Sequence, residues 1–268
     1  DYDGDGQADL AVYRPSTAQW FILQSRDGPR VVSFGAAKLD LPVPMDYDGD
    51  GKTDLAVFRP STAQWFILRS QDGPIVQQFG ASDLDQPVPA DYDGDGRADL
   101  AVFRPSTGQW FILGSQVGGS MTSFGGGNLD RPVPADYDGD GKADLAVYRR
   151  STAQWFILQS QAGPRVQSFG AANLDVPVPD DYDGDGVTDV GVFRPTTAQW
   201  FLLRTSAGPT VQLFGSTKTD LPANLPFSYR PKAGQAPSVS FDQAPPTPPP
   251  PPPPPPPPTP KPRPRRGK

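Results

Sequence analysis

The chain repeats itself every 45 residues, and that period constrains the fold more than any other feature. A segment reading DYDGDGQADLAVYRPSTAQWFIL opens at Asp1, and near-copies open at Asp46, Asp91, Asp136 and Asp181. A unit this short cannot bury a core alone but can do so against its neighbours, so a repeat architecture is expected. Within the second unit, residues 55–59 and 65–68 are apolar runs separated by a Pro-Ser-Thr turn, as strands of a hairpin would be. A weaker strand ends at Phe79-Gly80, and residues 87–92 lead into the next acidic stretch. Four short strands per unit of this length make a propeller blade. The expected fold is therefore all-β, a β-propeller of four-stranded blades, with repeats at 1–45, 46–90, 91–135, 136–180 and 181–225.

Two details favour stacked blades over a sandwich. Residues 65–68 are apolar at every position, which fits a strand covered on both faces. Pro87 and Pro89 lack N–H groups on the same side, so they suit an edge strand, the innermost of a blade. Residues 220–228 align with 40–48 but replace two loop aspartates with Pro226 and Ser228. Filling the inner place that the first unit lacks, this segment would close a five-bladed ring. A larger ring truncated at its N-terminus is the competing account. The chain opens inside a repeat and without Met, and is taken as a mature or truncated product.

Composition narrows the chemistry. There is no Cys and no His, and all thirty acidic residues are Asp. A His-based triad, a Cys nucleophile and a thiolate metal site are thereby excluded. Residues 1–229 carry 29 Asp against 17 Lys and Arg, whereas residues 230–268 carry 7 basic residues against Asp242 alone. An acidic body argues against nucleic acid as a partner. No apolar run reaches the roughly 20 residues a membrane-spanning helix needs.

The acidic loop carries the strongest signal. Its aspartates stand at loop positions 1, 3, 5 and 9: Asp1, Asp3, Asp5 and Asp9; Asp46, Asp48, Asp50 and Asp54; Asp91, Asp93, Asp95 and Asp99; Asp136, Asp138, Asp140 and Asp144; Asp181, Asp183, Asp185 and Asp189. Carboxylates ~5 Å apart repel by about 0.8 kcal/mol per pair even in water. A cation among them resolves the conflict, and oxygen-only ligands on a flexible loop suit Ca²⁺. Gly at positions 4 and 6 permits the sharp turns. Position 7 varies (Gln7, Lys52, Arg97, Lys142, Val187), as expected where only a backbone carbonyl is used. An EF-hand needs an acid at position 12, where this chain places Val12, Val57, Val102, Val147 and Val192.

The motif DxDGDGxxD followed by LAVF, with Phe-Gly at 34–35, 79–80, 124–125, 169–170 and 214–215, resembles the FG-GAP/VCBS repeats of integrin α-chain heads and bacterial surface proteins. The resemblance covers residues 1–229. It implies a loop between the two inner strands of a blade, holding Ca²⁺ through positions 1, 3, 5 and 9 and the position-7 carbonyl, about five ions in all. The Gly-Ala-Pro half of the motif is absent, and the units are nearer in length to lectin propellers than to integrin blades.

Two further columns recur. Trp20, Trp65, Trp110, Trp155 and Trp200 admit two readings, sugar-stacking platforms or core between blades. Arg14, Arg59, Arg104, Arg149 and Arg194 are expected to pair with nearby aspartates. The turn sequences between the outer two strands differ from copy to copy, as a solvated rim would. Residues 230–268 form a proline-rich basic tail with eleven consecutive prolines at 248–258, a polyproline II rod of about 34 Å. It reads as a stalk, whose basic end would suit anionic wall or membrane polymers. The expected function is an extracellular, Ca²⁺-stabilised adhesion or assembly module acting on a protein or glycan surface. A multivalent lectin with pockets between blades is the alternative. No enzyme is expected, because the candidate aspartates are committed to the loops.

Overall fold

The computed structural model describes residues 1–215, so the proposed closing segment and the proline-rich tail lie outside the described residues. Five antiparallel sheets follow one another along the chain. Blade 1 holds β1 (Leu10–Arg14), β2 (Gln19–Gln24) and β3 (Gly28–Ser33). Blade 2 holds β4 (Leu41–Pro42), β5 (Leu55–Arg59), β6 (Gln64–Arg69) and β7 (Gly73–Gln78). Blade 3 holds β8 (Gln86–Pro87), β9 (Leu100–Arg104), β10 (Gln109–Gly114) and β11 (Gly118–Ser123). Blade 4 holds β12 (Asp130–Pro132), β13 (Leu145–Arg149), β14 (Gln154–Gln159) and β15 (Gly163–Ser168). Blade 5 holds β16 (Val176–Pro177), β17 (Val190–Arg194), β18 (Gln199–Arg204) and β19 (Gly208–Leu213). The chain is the expected all-β propeller, four blades having four strands and the first having three among the described residues.

Each blade takes its inner strand from the end of the preceding sequence repeat, so blades and repeats are offset. The inner strand is short because proline flanks its bonding residue: Val88, between Pro87 and Pro89, donates its N–H to the Ala101 carbonyl at 2.8 Å. The acidic loop then joins the inner strand to the second, and a bridge such as Ala90 to Asp99 closes its base.

Strand alternation gives each blade two faces. In blade 2, Ala56, Phe58, Trp65 and Ile67 look forward onto Ala98 and Val102 of blade 3. Leu55 and Val57 look backward onto Trp20 and Ile22 of blade 1. These are called the trailing and leading faces. Tryptophan anchors the trailing face: Trp65 lies 5.0 Å from the Phe58 ring at a 56° tilt and donates its Nε1–H to the Phe79 carbonyl at 3.0 Å. An indole this enclosed needs such a partner. The glycine of each Phe-Gly pair lets the next blade approach. Gly80 has φ of 107°, and a Cβ there would lie 3.2 Å from Val102 Cγ1 on the next blade. The same contact recurs at Gly35 with Val57, Gly125 with Val147 and Gly170 with Val192.

Four of the five arginines in the column pair with aspartates as expected, while Arg14 stacks on Phe21 and has no carboxylate partner among the described residues. Arg59 Nε lies 2.7 Å from Asp40 Oδ1 and Nη2 lies 3.0 Å from Oδ2, with the guanidinium stacked 4.5 Å from the Phe66 ring centre. Arg104 with Asp85, Arg149 with Asp130 and Arg194 with Asp175 repeat the fork. The carboxylate sides of these pairs are fully buried. Planar, two-point pairing of this kind is the strong form of an ion pair.

Candidate metal centre

The loop builds itself from its own carboxylates. At position 1, Asp46 accepts the Gly49 N–H on Oδ1 at 2.7 Å and the Gly51 N–H on Oδ2 at 2.8 Å, folding the chain back over itself. Gly49 and Gly51 have φ of 74° and 81°, which a residue with a Cβ enters at a cost. At position 5, Asp50 accepts the Lys52 N–H on Oδ1 at 2.9 Å. At position 9, Asp54 accepts the Tyr47 N–H on Oδ2 at 2.9 Å.

A second segment caps the loop, and sequence reasoning missed it. In the β6–β7 turn, the Ser70 hydroxyl donates to Asp50 Oδ2 at 2.6 Å and the Ser70 N–H donates to Asp54 Oδ1 at 2.7 Å. The next two amides, Gln71 and Asp72, both donate to Asp48 Oδ2 at 2.9 Å. Ser25, Ser115, Ser160 and Thr205 make the matching hydroxyl contacts in the other blades. The Ser or Thr closing every tryptophan strand was the available signal. The turn that reads as a variable rim has a structural duty, but its amides carry much of it, so its side chains are free to differ.

Position 3 is the telling one. Asp3 and Asp48 are buried, and the Oδ1 atoms of Asp3, Asp48, Asp93, Asp138 and Asp183 are each buried with no hydrogen-bond partner. Buried acceptors are nearly always satisfied, so the same orphaned oxygen in all five loops is a shared feature of the loop rather than one local defect. Carboxylate oxygens of positions 1, 3 and 5 lie within 4.8 Å of one another in the first two loops. In the third to fifth loops the groups brought together are positions 1, 3 and 9. These clusters can hold a metal ion, and the donor set is oxygen alone.

Burial and backbone amides pull these carboxyls in opposite directions and the outcome differs from loop to loop: at Asp9 burial is outweighed by the Tyr2 and Ser25 amides, which hold the group below its ordinary value. Burial, with the charge of neighbouring aspartates adding to it, pushes the carboxyls of Asp54, Asp99 and Asp144 above the usual range despite the N–H groups bonded to them. At Asp48 burial acts in the same direction, but the amides of Asp72, Gln71 and Asp50 outweigh it and hold the group below its ordinary value.

Position 7 does more than present backbone. Its side chain lies over position 4 of the preceding loop, where Lys52 would meet a Cβ on Gly4, Arg97 one on Gly49, Lys142 one on Gly94 and Val187 one on Gly139. Beside it, position 8 donates backward to the position-1 carbonyl: Thr53 to Asp1 at 2.7 Å, Ala98 to Asp46 at 2.7 Å, Ala143 to Asp91 at 2.6 Å and Thr188 to Asp136 at 2.7 Å. Successive loops are thus tied in series.

Residues 46–102 and 91–147 match the family model described as FG-GAP-like repeat. The repeats within residues 46–147 are FG-GAP-like. The propeller has relatives by fold in several solved structures. A streptogramin B lyase shares the fold with a TM-score of 0.55 at 6% identity, over 80% of this chain and 67% of that one. Virginiamycin B lyase from Staphylococcus aureus gives 0.54 at 5% identity, over 79% and 68%. An Agrocybe aegerita lectin that recognises non-reducing terminal N-acetylglucosamine gives 0.52 at 18% identity, over 78% and 62%. Comparison with curated proteins gives no match.

The lyases correct one expectation. Catalysis was excluded because the aspartates are spent on the loops, yet lyases are built on this same frame. Counting committed aspartates cannot exclude an enzyme, because a propeller presents many other groups on its rims and between its blades. At this identity the likeness carries the fold and no reaction.

The tryptophan column lies in the core. Trp20, Trp65, Trp110 and Trp155 are at most 2% exposed, leaving no ring face for a sugar, and Trp200 alone is partly open. Cavities do occur between blades beside the loops. One of about 420 Å³ between blades 1 and 2 is bordered by Tyr2, Arg30, Lys52 and Arg69. One of about 350 Å³ between blades 3 and 4 is bordered by Tyr92, Ile112, Leu145 and Leu158. No helix among the described residues is long and apolar enough to cross a membrane.

Proposed function

We propose that this FG-GAP-like propeller binds about five Ca²⁺ ions, one per loop, and that the ions stabilise it as an extracellular adhesion or assembly module. The observation that carries this reading is the buried, unpartnered Oδ1 at position 3 of every loop. Positions 1, 3, 5 and 9 and the position-7 carbonyl would hold the ion, which supplies charge neutralisation and cross-links the loop to its capping turn. Ca²⁺ fits better than Mg²⁺ because many oxygen ligands on a flexible loop suit its larger, less demanding shell. Sites of this kind fill where Ca²⁺ is abundant, which supports a place outside the cell. The proline-rich tail would hold the propeller off a surface, its basic end meeting anionic polymers. Calorimetric titration of the metal-free chain should return about five sites, and a titration that returns none would refute the reading.

A multivalent lectin is the second reading. The inter-blade cavities beside the loops support it, and their borders rather than the buried tryptophans would meet the sugar. A glycan array in Ca²⁺ buffer separates the two: one avid sugar class favours the lectin, silence across the array favours the adhesion or assembly module.

A further inference from the structure

Position 7 stands between two loops, and its side chain changes charge from one repeat to the next. Arg97 Nε lies 3.1 Å from the point where a Cβ would stand on Gly49, and Lys142 Cε lies 3.0 Å from that point on Gly94. Val187 Cγ2 lies 2.9 Å from it on Gly139. Each of these glycines sits between the position-3 and position-5 aspartates of the preceding loop. Position 7 also reaches its own loop: Gln7 Nε2 donates to Asp5 Oδ2 at 3.3 Å, and the Lys142 charge acts on Asp140. None of Lys52, Arg97 and Lys142 closes an ion pair onto a single carboxylate among the described residues. Three loops have a described loop on either side. Loop two (46–54) lies between Lys52 and Arg97, and loop three (91–99) between Arg97 and Lys142. Loop four (136–144) lies between Lys142 and Val187, so it meets one position-7 cation where its neighbours meet two.

We infer that position 7 sets the cation affinity of the two loops it separates: Lys52, Arg97 and Lys142 lower it, and Val187 spares loop four one such charge. The inference rests on the reading that the loops take Ca²⁺. A fixed cation offsets the mutual repulsion of the carboxylates in the ion-free loop and repels a divalent ion that enters it. One charge thus stabilises the ion-free chain and weakens the site, two effects of opposite sign. At low ionic strength, a unit charge several ångströms from a divalent ion changes its affinity by about fivefold, and salt screens the effect. The loops then fill in stages as Ca²⁺ rises rather than at one threshold. Two other cations stand near these loops, Arg69 paired with Asp72 in the turn that caps loop two, and Arg165 acting on Tyr137 of loop four. Both stay in place when position 7 is exchanged.

Residue-resolved NMR of the full chain in chelator-buffered Ca²⁺ at low ionic strength tests it. The amides of Gly51, Gly96 and Gly141 each bond the position-1 carboxylate of their own loop, so each reports that loop's midpoint. Arg97→Val should lower the Gly51 and Gly96 midpoints about fivefold and leave Gly141 alone. Val187→Lys should raise the Gly141 midpoint about fivefold and leave Gly51 alone. Lys142→Arg, which keeps the charge, should move none of the three. Each exchange installs a residue that another repeat already carries at position 7, so the variants should fold. In chelator the melts should move the other way: Arg97→Val lowers Tm and Val187→Lys raises it, whereas a side chain that only packs would lower stability and affinity together. Midpoints indifferent to both exchanges, or shifted equally at all three glycines, overturn this inference and leave the Ca²⁺ reading standing. Glycine amides that do not respond to Ca²⁺ at all overturn both.

Discussion

Val57 and Val12 hold the same place in neighbouring repeats, yet Val57 is sealed against Gly35 while more than half of Val12 faces solvent. The acidic loops of the same two blades differ far less: Asp3 and Asp48 are both buried, both keep an unpartnered Oδ1, and both are capped by their own β-turn amides. The contrast separates two kinds of cohesion. The apolar junction is lent to a blade by its neighbour, whereas the acidic loop is assembled mainly inside the blade and only tied to the next. Terminal blades should therefore lose junction energy and keep their loops.

Substitutions can break that contrast in descending order. Trp110→Ala removes the largest side chain of an internal junction and should cost about 4 kcal/mol in chemical denaturation, with or without Ca²⁺. Asp48→Asn, at the orphaned position 3, should cost about 2.7 kcal/mol where the site would otherwise be a hundredfold saturated. The same variant should be close to neutral in chelator, which a merely structural aspartate would not show. Val57→Ala should cost about 2 kcal/mol, while Val12→Ala should stay within about 0.5 kcal/mol in dilute solution. Tyr148→Phe should stabilise by about 1 kcal/mol, because its buried hydroxyl has no partner and the matching residues Phe58, Phe103 and Phe193 lack one.

Much of this was legible in the sequence because the period multiplies every signal by five. The strands at 55–59 and 65–68, the edge prolines and the arginine pairs all follow from residue types at fixed spacing. The caps on Asp3 and Asp48 were not legible, since backbone amides donate them and a backbone leaves no mark on composition. Position 7 was read as a bare carbonyl because its residues differ, although Lys52, Arg97, Lys142 and Val187 all lie over a glycine of the loop before. Aliphatic carbon laid over that glycine, rather than charge, is what those side chains share. The exposure of Val12 was hidden for another reason: burial belongs to the neighbour, and the sequence around Val12 is nearly that around Val57. The exclusion of catalysis failed because it counted aspartates and ignored every other surface of the blades.

The metal loop remains the central claim, and thermal unfolding is its most direct test. The metal-free chain and the chain in millimolar Ca²⁺ should differ by a large rise in Tm, from five sites contributing up to about 2.7 kcal/mol each at hundredfold saturation. Mg²⁺ at the same concentration should recover little of that rise. Superimposable melts with Ca²⁺ and with chelator would contradict the account.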